Sequence, residues 1–385
     1  MDSLKEMIKQ IDFVNKIRTY KWKNRTRAEL FTVDERKKLE KEPELISKAL
    51  EQHLKNFPDN GARKLAELEN VFKRSPMSKR QELDEKELKE DMLFWHFAYG
   101  FTFNEYACYQ FIDRGYNERR TFLSDRDIAW ICYDMNDMRE MKVLADKAET
   151  YKRYKEFYCR EAIIISDKFD FERFLSFISQ HNKFVKKNTL ESCGRSVELV
   201  DITKIPTSPR ELFETWILGG KTILEEVVVQ SKELHSFNPS SVNTVRCITF
   251  RTKNGIIAPF FFMKTGRAGM FVDNGAAGGL IVAVDGKTGR IVGTATDEFG
   301  NRFTAHPDSG IEFDGFQLPD WNQLLSVCCE MSARLPAVRI IGWDMAYTDH
   351  GWIVIEGNSM TEAIGPQSTW LRGIRKEVEE FRSSK

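Results

Sequence analysis

A chain of 385 residues, 41% hydrophobic and 30% charged, has the size of two or three packed units and the make-up of a globular protein, which excludes a disordered or fibrous class. Its 58 basic side chains balance 58 acidic ones, so no net positive field recruits nucleic acid. The longest apolar stretch, residues 256–263, contains Pro259 and is too short for a transmembrane segment, and the charged N-terminus lacks a signal-peptide core; the expected location is cytoplasmic.

The chain opens on helical spacing, with Leu4, Met7, Ile8, Ile11, Val14 and Ile17. The same period returns in Leu45, Ile46, Ala49, Leu50, His53, Leu54 and Phe57, closed by Asn60-Gly61. Between them, five basic residues in 18–27 interleave with Tyr20 and Trp22. That composition suits a solvated helix end, and it also suits anionic lipid headgroups, which leaves peripheral membrane contact open. A charged stretch at 79–91 leads into an aromatic run at 94–109, expected to pack the helical part onto the rest as core. From about residue 140 strands alternate with helices in a mixed α/β pattern. Residues 163–165, 184–186, 223–229, 245–250, 256–263, 280–284, 338–345 and 352–356 read as strands, and 321–335 as a helix after Pro319-Asp320. The seven cysteines show no CxxC or Cys/His zinc spacing and read as reduced, mostly buried thiols.

The strongest constellation is Gly342-Trp343-Asp344 in one strand and Glu356-Gly357-Asn358 ending the next. A three-residue loop, Asp349-His350-Gly351, places glycine where a type I turn needs a left-handed residue. With Thr348 opposite Trp352, Asp344 falls opposite Glu356, and alternation adds Asn358 to the same face. Two opposed carboxylates repel unless a cation or proton lies between them. Two carboxylates and an amide oxygen suit magnesium. This reading predicts that neutralising Asp344 or Glu356 abolishes turnover while leaving the unliganded fold equally or more stable. Lys147, Lys186, Arg246 and Lys264 lie on or beside apolar strands, where an unpaired charge is costly, and a bound anion or an internal ion pair answers that cost.

The order Asp344, Glu356-x-Asn358 at the end of an α/β region resembles the ATP-grasp superfamily. Ala145-Asp146-Lys147 with Tyr151 and Tyr154, then Phe184-Val185-Lys186, resemble its entry motif and its phosphate-contacting strand lysine. Leu224-Glu225-Glu226-Val227-Val228-Val229 resembles the hinge strand whose backbone meets adenine. Asn243-Thr244-Val245-Arg246, Met263-Lys264, Val272-Asp273-Asn274, Gly278-Gly279 and His306-Pro307 are similar to a narrower branch, the sugar-transfer associated ATP-grasp proteins, related to α-L-glutamate ligases. The resemblance covers about residues 90–370. The loop at 188–197, where the family carries a glycine-rich phosphate flap, holds only Gly194, which stiffens the flap or shifts its work to Arg195.

The resemblance implies an α+β, two-lobed ATP-grasp catalytic region behind a helical N-terminal region: helices over 1–135, a first lobe with the flap over 136–226, and a second lobe with the metal site over 227–385. It implies ATP and magnesium as cofactors. Lys147, Lys186, Glu226, Val228 and Glu233 become nucleotide contacts, Glu233 through the ribose. Arg246, Lys264 and Asn274 become catalytic, with Asp344, Glu356 and Asn358 as metal ligands. His306 and Arg195 become candidate substrate contacts. The implied reaction joins a carboxylate to an amine through an acyl phosphate in capsule, exopolysaccharide or glycoconjugate assembly, on small substrates that can be sugar-linked. A kinase acting on a hydroxyl, and a non-catalytic nucleotide-binding partner of a glycosyltransferase, stay as alternatives.

Overall fold

The computed structural model describes residues 29–190, 197–271, 273, 275 and 278–384. The helix read at 4–17, the basic stretch at 18–27, Arg195 and Asn274 lie outside these residues.

The helical part starts with α1 (Val33–Lys41), where Thr32 and Glu35 form a capping box, and continues through α2 (Ile46–Leu54), α3 (Ala62–Arg74), α4 (Glu85–Tyr99) and α5 (Phe103–Cys108). The aromatic run is core, as its composition suggests. Phe97, Phe101, Phe103 and Tyr109 are buried with Leu50, Leu68 and Phe72 from the preceding helices, and Phe299 joins them from the far end of the chain. Asn104 and Cys108 donate to the carbonyls of Glu298 and Asp297, so the helices are anchored to the sheet region by hydrogen bonds as well as by packing.

Next come α6 (Asp125–Met135), α7 (Met141–Ala145) and α8 (Lys147–Tyr158). A four-stranded sheet follows, built from β1 (Ala162–Ile165), β2 (Lys183–Asn188), β3 (Glu198–Asp201) and β4 (Thr222–Glu226) in the order β1-β4-β2-β3. Helices α9 (Phe171–Gln180) and α10 (Pro209–Leu218) cover one face through Phe174, Phe177, Phe213 and Trp216. After the short α11 (Lys232–His235), a seven-stranded sheet forms from β5 (Thr244–Thr252), β6 (Gly255–Thr265), β7 (Leu280–Val284), β8 (Ile291–Thr296), β9 (Arg302–Phe303), β10 (Ile340–Thr348) and β11 (Gly351–Asn358). Its order is β11-β10-β5-β6-β7-β8-β9. Helix α12 (Trp321–Ala333) packs on one face with Val245, Cys247, Met263 and Trp343, a core that Leu144 and Tyr154 of α7 and α8 also enter. On the other face α6 and α14 (Arg375–Ser383) cover Ile248, Phe250, Phe260 and Ile340, and α13 (Ile364–Trp370) packs on β6, β7 and β8.

Three strands escaped the sequence reading. β3, β8 and β9 are short edge or near-edge strands with mixed burial, so they lack an apolar run. Every strand pairing is antiparallel, although the pattern alternates strands with helices. The strand read at 223–229 ends at Glu226, where the chain leaves the sheet.

Candidate active site

The β10–β11 hairpin corrects the expected register at its turn. Thr348 pairs with Gly351, not Trp352, and Tyr347 pairs with Trp352. Gly351 does take the left-handed conformation (φ +84°). A bulge between Asp344 and Met345 then restores the pairing of Asp344 with Glu356 and of Gly342 with Asn358. The carboxylates therefore oppose each other as expected, but a bulge rather than the loop length puts them there.

Asp344 is nearly fully buried (4% exposed), and two cations already neutralise it. Arg246, its cross-strand neighbour on β5, binds it with both prongs (Nε–Oδ1 2.5 Å, Nη2–Oδ2 2.8 Å). Lys264 on β6 reaches Oδ2 at 3.1 Å and Asp273 at 3.8 Å. Burial alone pushes the Asp344 carboxyl up, yet the Arg246 and Lys264 charges hold it down at about 2. The expected like-charge repulsion is thus relieved inside the protein, because β5 and β6 supply cations on the same face. Removing the Asp344 charge strands two buried cations, which reverses the expectation for the unliganded fold.

Glu356 differs. It has no hydrogen-bond or ion-pair partner among the described residues, and it faces the space between the two sheets. The Asn358 amide ends in a buried nitrogen without a partner among the described residues, and turning the amide over presents its oxygen there. Asp344 receives three donors and keeps one of about four lone-pair sites. Among the described residues no group of three or more His, Cys, Asp or Glu side chains could hold a metal alone. A hard ion here would be held by Asp344, Glu356 and Asn358 with oxygens from a ligand, a donor set that fits magnesium.

The opposite wall of the cleft comes from the four-stranded sheet. Lys187, Val185 and Glu225 face the cleft, as do Lys147 at the start of α8, Glu226, Val227 and Val228. Lys186 does not. It shares the face of Phe184, lies 5.0 Å from the ring of Trp216 and pairs with Glu198 at 2.7 Å. The strand lysine of the cleft is Lys187, and the buried Phe184 was the signal that could have fixed the parity. Glu225, missed by sequence reasoning, binds Arg160 (2.6 Å) and Lys187 (3.0 Å) with all three side chains buried or nearly so. Although burial raises its pKa, those two cations bring it down to about 2. Arg160 also donates to the carbonyl of Val354 on β11 (2.8 Å), tying the two sheets together.

Two other candidates sit elsewhere. Glu233 is exposed on α11 and does not line the cleft. His306 is fully buried beside the stacked rings of Phe237 and Phe313, edge-on to both. Its Nδ1 accepts from the backbone N–H groups of Asp308 and Ser309, so its Nε2–H donates to the Gly266 carbonyl at 2.9 Å. It is a post under the loop after β6, with no face left for a substrate.

Two antiparallel sheets facing each other across a cleft, cations on one wall and a carboxylate hairpin on the other, form the two-lobed ATP-grasp architecture. The sequence model of the sugar-transfer associated ATP-grasp family matches residues 131–383, more than half of the chain, and the chain belongs to that family. Among solved structures it is similar to the ATP-grasp ligase PsnB complexed with a minimal precursor, at 9% identity and TM-score 0.41, over 65% of this chain and 64% of that one. It is also similar to the D-alanine-D-alanine ligase from Coxiella burnetii (7% identity, TM-score 0.41, 65% and 59%) and to the VanG D-Ala:D-Ser ligase from Enterococcus faecalis (11%, 0.40, 63% and 63%). The chain spans less than two thirds of each of these structures. No curated protein matches it. Among the described residues no helix is long and apolar enough to cross a membrane.

Proposed function

We propose that this protein is an ATP-dependent carboxylate–amine ligase that activates a carboxylate as an acyl phosphate and releases ADP and phosphate. The observation that carries the reading is the opposition of Lys187 and Arg160 on one wall to Glu356, Asp344 and Lys264 on the other. A triphosphate laid between them meets cations from the small sheet. Val227 and Val228, past the end of β4, make no backbone hydrogen bond among the described residues, which leaves their N–H and C=O groups for an adenine edge. Asp344, Glu356 and Asn358 would hold magnesium, which would supply charge neutralisation at the phosphates. Arg246 and Lys264 then stand at the transferred phosphoryl group, where fixed cations stabilise developing charge. A carboxylate needs no base to become the attacking group, since it is ionised at neutral pH.

The family's association with sugar transfer supports a uronic acid or amino-acid carboxylate, joined to an amine during capsule, exopolysaccharide or glycoconjugate assembly. The test is hydroxylamine trapping. With ATP, magnesium and a panel of D-glucuronate, D-galacturonate, L-glutamate and L-aspartate, a hydroxamate should form with stoichiometric ADP. A stable phosphorylated alcohol without hydroxamate would establish a kinase instead.

A further inference from the structure

The chain after β11 folds back over the face of the seven-stranded sheet that carries Asp344. Asn136 fixes this return by donating to the carbonyls of Ser359 (2.9 Å) and Ile340 (3.1 Å). The return delivers Glu362 to the far side of Arg246. The same guanidinium that grips Asp344 through Nε and Nη2 points Nη1 at Glu362, 3.5 Å away. Among the described residues Glu362 has no other ion pair, and its side chain is 38% exposed, so it is open to an incoming molecule. Asp125 lies beneath it and accepts from the N–H of Ala363 (3.2 Å), while Glu105 in turn accepts from the N–H of Asp125 (2.6 Å).

The charges on this face do not balance. Arg246 and Lys264 offset Asp344 and Asp273, and Glu356 faces the cleft, ion-paired with neither cation. Glu362 and Asp125 remain. Burial and the Glu362 charge push the Asp125 carboxyl up to about 6, and burial pushes Glu105 well above the carboxylate range. Arg126, from the same helix as Asp125, turns to Glu29, and Asp127 pairs with Arg375, so neither offsets the pair. An independent feature marks the place as built for a ligand. Thr361 is 5% exposed, yet its hydroxyl has no hydrogen-bond partner among the described residues. It stands over the bare Cα of Gly342, where a Cβ would come within 2.8 Å of that oxygen and 3.1 Å of Arg246 Cδ. A buried hydroxyl is rarely left unpaired without a partner to come.

We infer that Glu362, with Asp125 behind it and the Thr361 hydroxyl beside it, is the acceptor subsite: it binds the acceptor as a primary ammonium, and Glu362 takes its proton. The inference rests on the ligase reading and names its acceptor class. The Glu362 carboxylate receives one N–H proton, leaving a neutral amine. The amine lone pair forms the C–N bond to the acyl carbon, the C–O bond to phosphorus's oxygen breaks with its electron pair leaving on phosphate, and the second N–H proton goes to that phosphate. Arg246, shared by Asp344 and Glu362, keeps the activated carbonyl and the amine on neighbouring sides of one fixed cation.

The experiment uses the full chain with ATP, magnesium and the carboxylates above, with ammonia, glycinamide or ethylenediamine as acceptor and hydroxylamine as the reference. Hydroxylamine is neutral at neutral pH and needs no proton acceptor before it attacks. Glu362→Gln should lower amide formation by at least about a hundredfold, the scale of a lost general base, while hydroxamate formation falls far less. Asp125→Asn should raise the amine KM about tenfold with a smaller change in kcat. Amide formation that survives in Glu362→Gln overturns the inference and leaves the ligase standing. Equal loss of amide and hydroxamate, in a variant with the wild-type melting profile, makes Glu362 a support for Arg246 and also overturns it. No hydroxamate from any carboxylate with the wild type removes the ligase reading, and the acceptor subsite with it.

Discussion

Glu225→Gln tests whether the small-sheet wall of the cleft is held by one buried charge. The Glu225 side chain is 4% exposed, and its partners Arg160 and Lys187 are 3% and 12% exposed. Glutamine keeps one acceptor oxygen but turns an N–H₂ toward a cation and strands two positive charges. Breaking such a buried pair costs about 3–5 kcal/mol. A second route agrees: lowering the carboxyl from 4.5 to about 2 corresponds by linkage to roughly 3 kcal/mol. The sign follows from the depression. The contribution is complete above pH 4.5 and fades as pH falls through about 2. Urea unfolding followed by circular dichroism and tryptophan fluorescence, at about pH 7 and about pH 3, should show a large gap between wild type and variant that narrows on acidification. Magnesium-ATP, by bringing phosphates to Lys187, should stabilise the variant more than the wild type. A gap under about 1 kcal/mol at neutral pH, the range of a solvated ion pair, would refute the reasoning.

At the β10–β11 hairpin, Asp344→Asn and Glu356→Gln should both abolish turnover, yet only Asp344→Asn should destabilise the unliganded protein, by about 3–5 kcal/mol, because it alone strands Arg246 and Lys264; matched thermal melts decide this. Lys187→Met should weaken ATP binding by about tenfold or more in calorimetry, the value of a charged hydrogen bond, whereas Lys186→Met, on the Trp216 face, should leave it within about threefold. Asp125→Asn should stabilise the fold by up to roughly 3 kcal/mol above pH 6 and not at all below pH 3.8, since the wild-type carboxyl, raised to about 6, loses its stabilising proton over that interval; a pH series of melting temperatures checks it.

Deleting the N-terminal helices is not a clean probe of their role. Leu39, Leu50, Leu68, Val71, Phe72 and Met77 share one core with the aromatic run, so their loss exposes Phe97 and Tyr109.

The amino-acid sequence by itself determined the local pieces: the apolar runs that became β5, β6, β7, β10 and β11, the glycine that turns the hairpin at 351, and the shared face of Glu356 and Asn358. These follow from period and turn chemistry, which are short-range. Tertiary structure alone decided which charges meet. Arg246 and Lys264 reach Asp344 because β5 lies between β10 and β6, an order no hydrophobic period encodes. Lys187 rather than Lys186 faces the cleft because α9 and α10 cover the Phe184 face, and strand alternation says which residues share a face but not which face is covered. Glu225, Arg160, Glu362 and Asp125 carried no local signal. Each is an ordinary charged residue in sequence and acquires its chemistry from partners up to 238 positions away, brought within reach only when the sheets and helices pack.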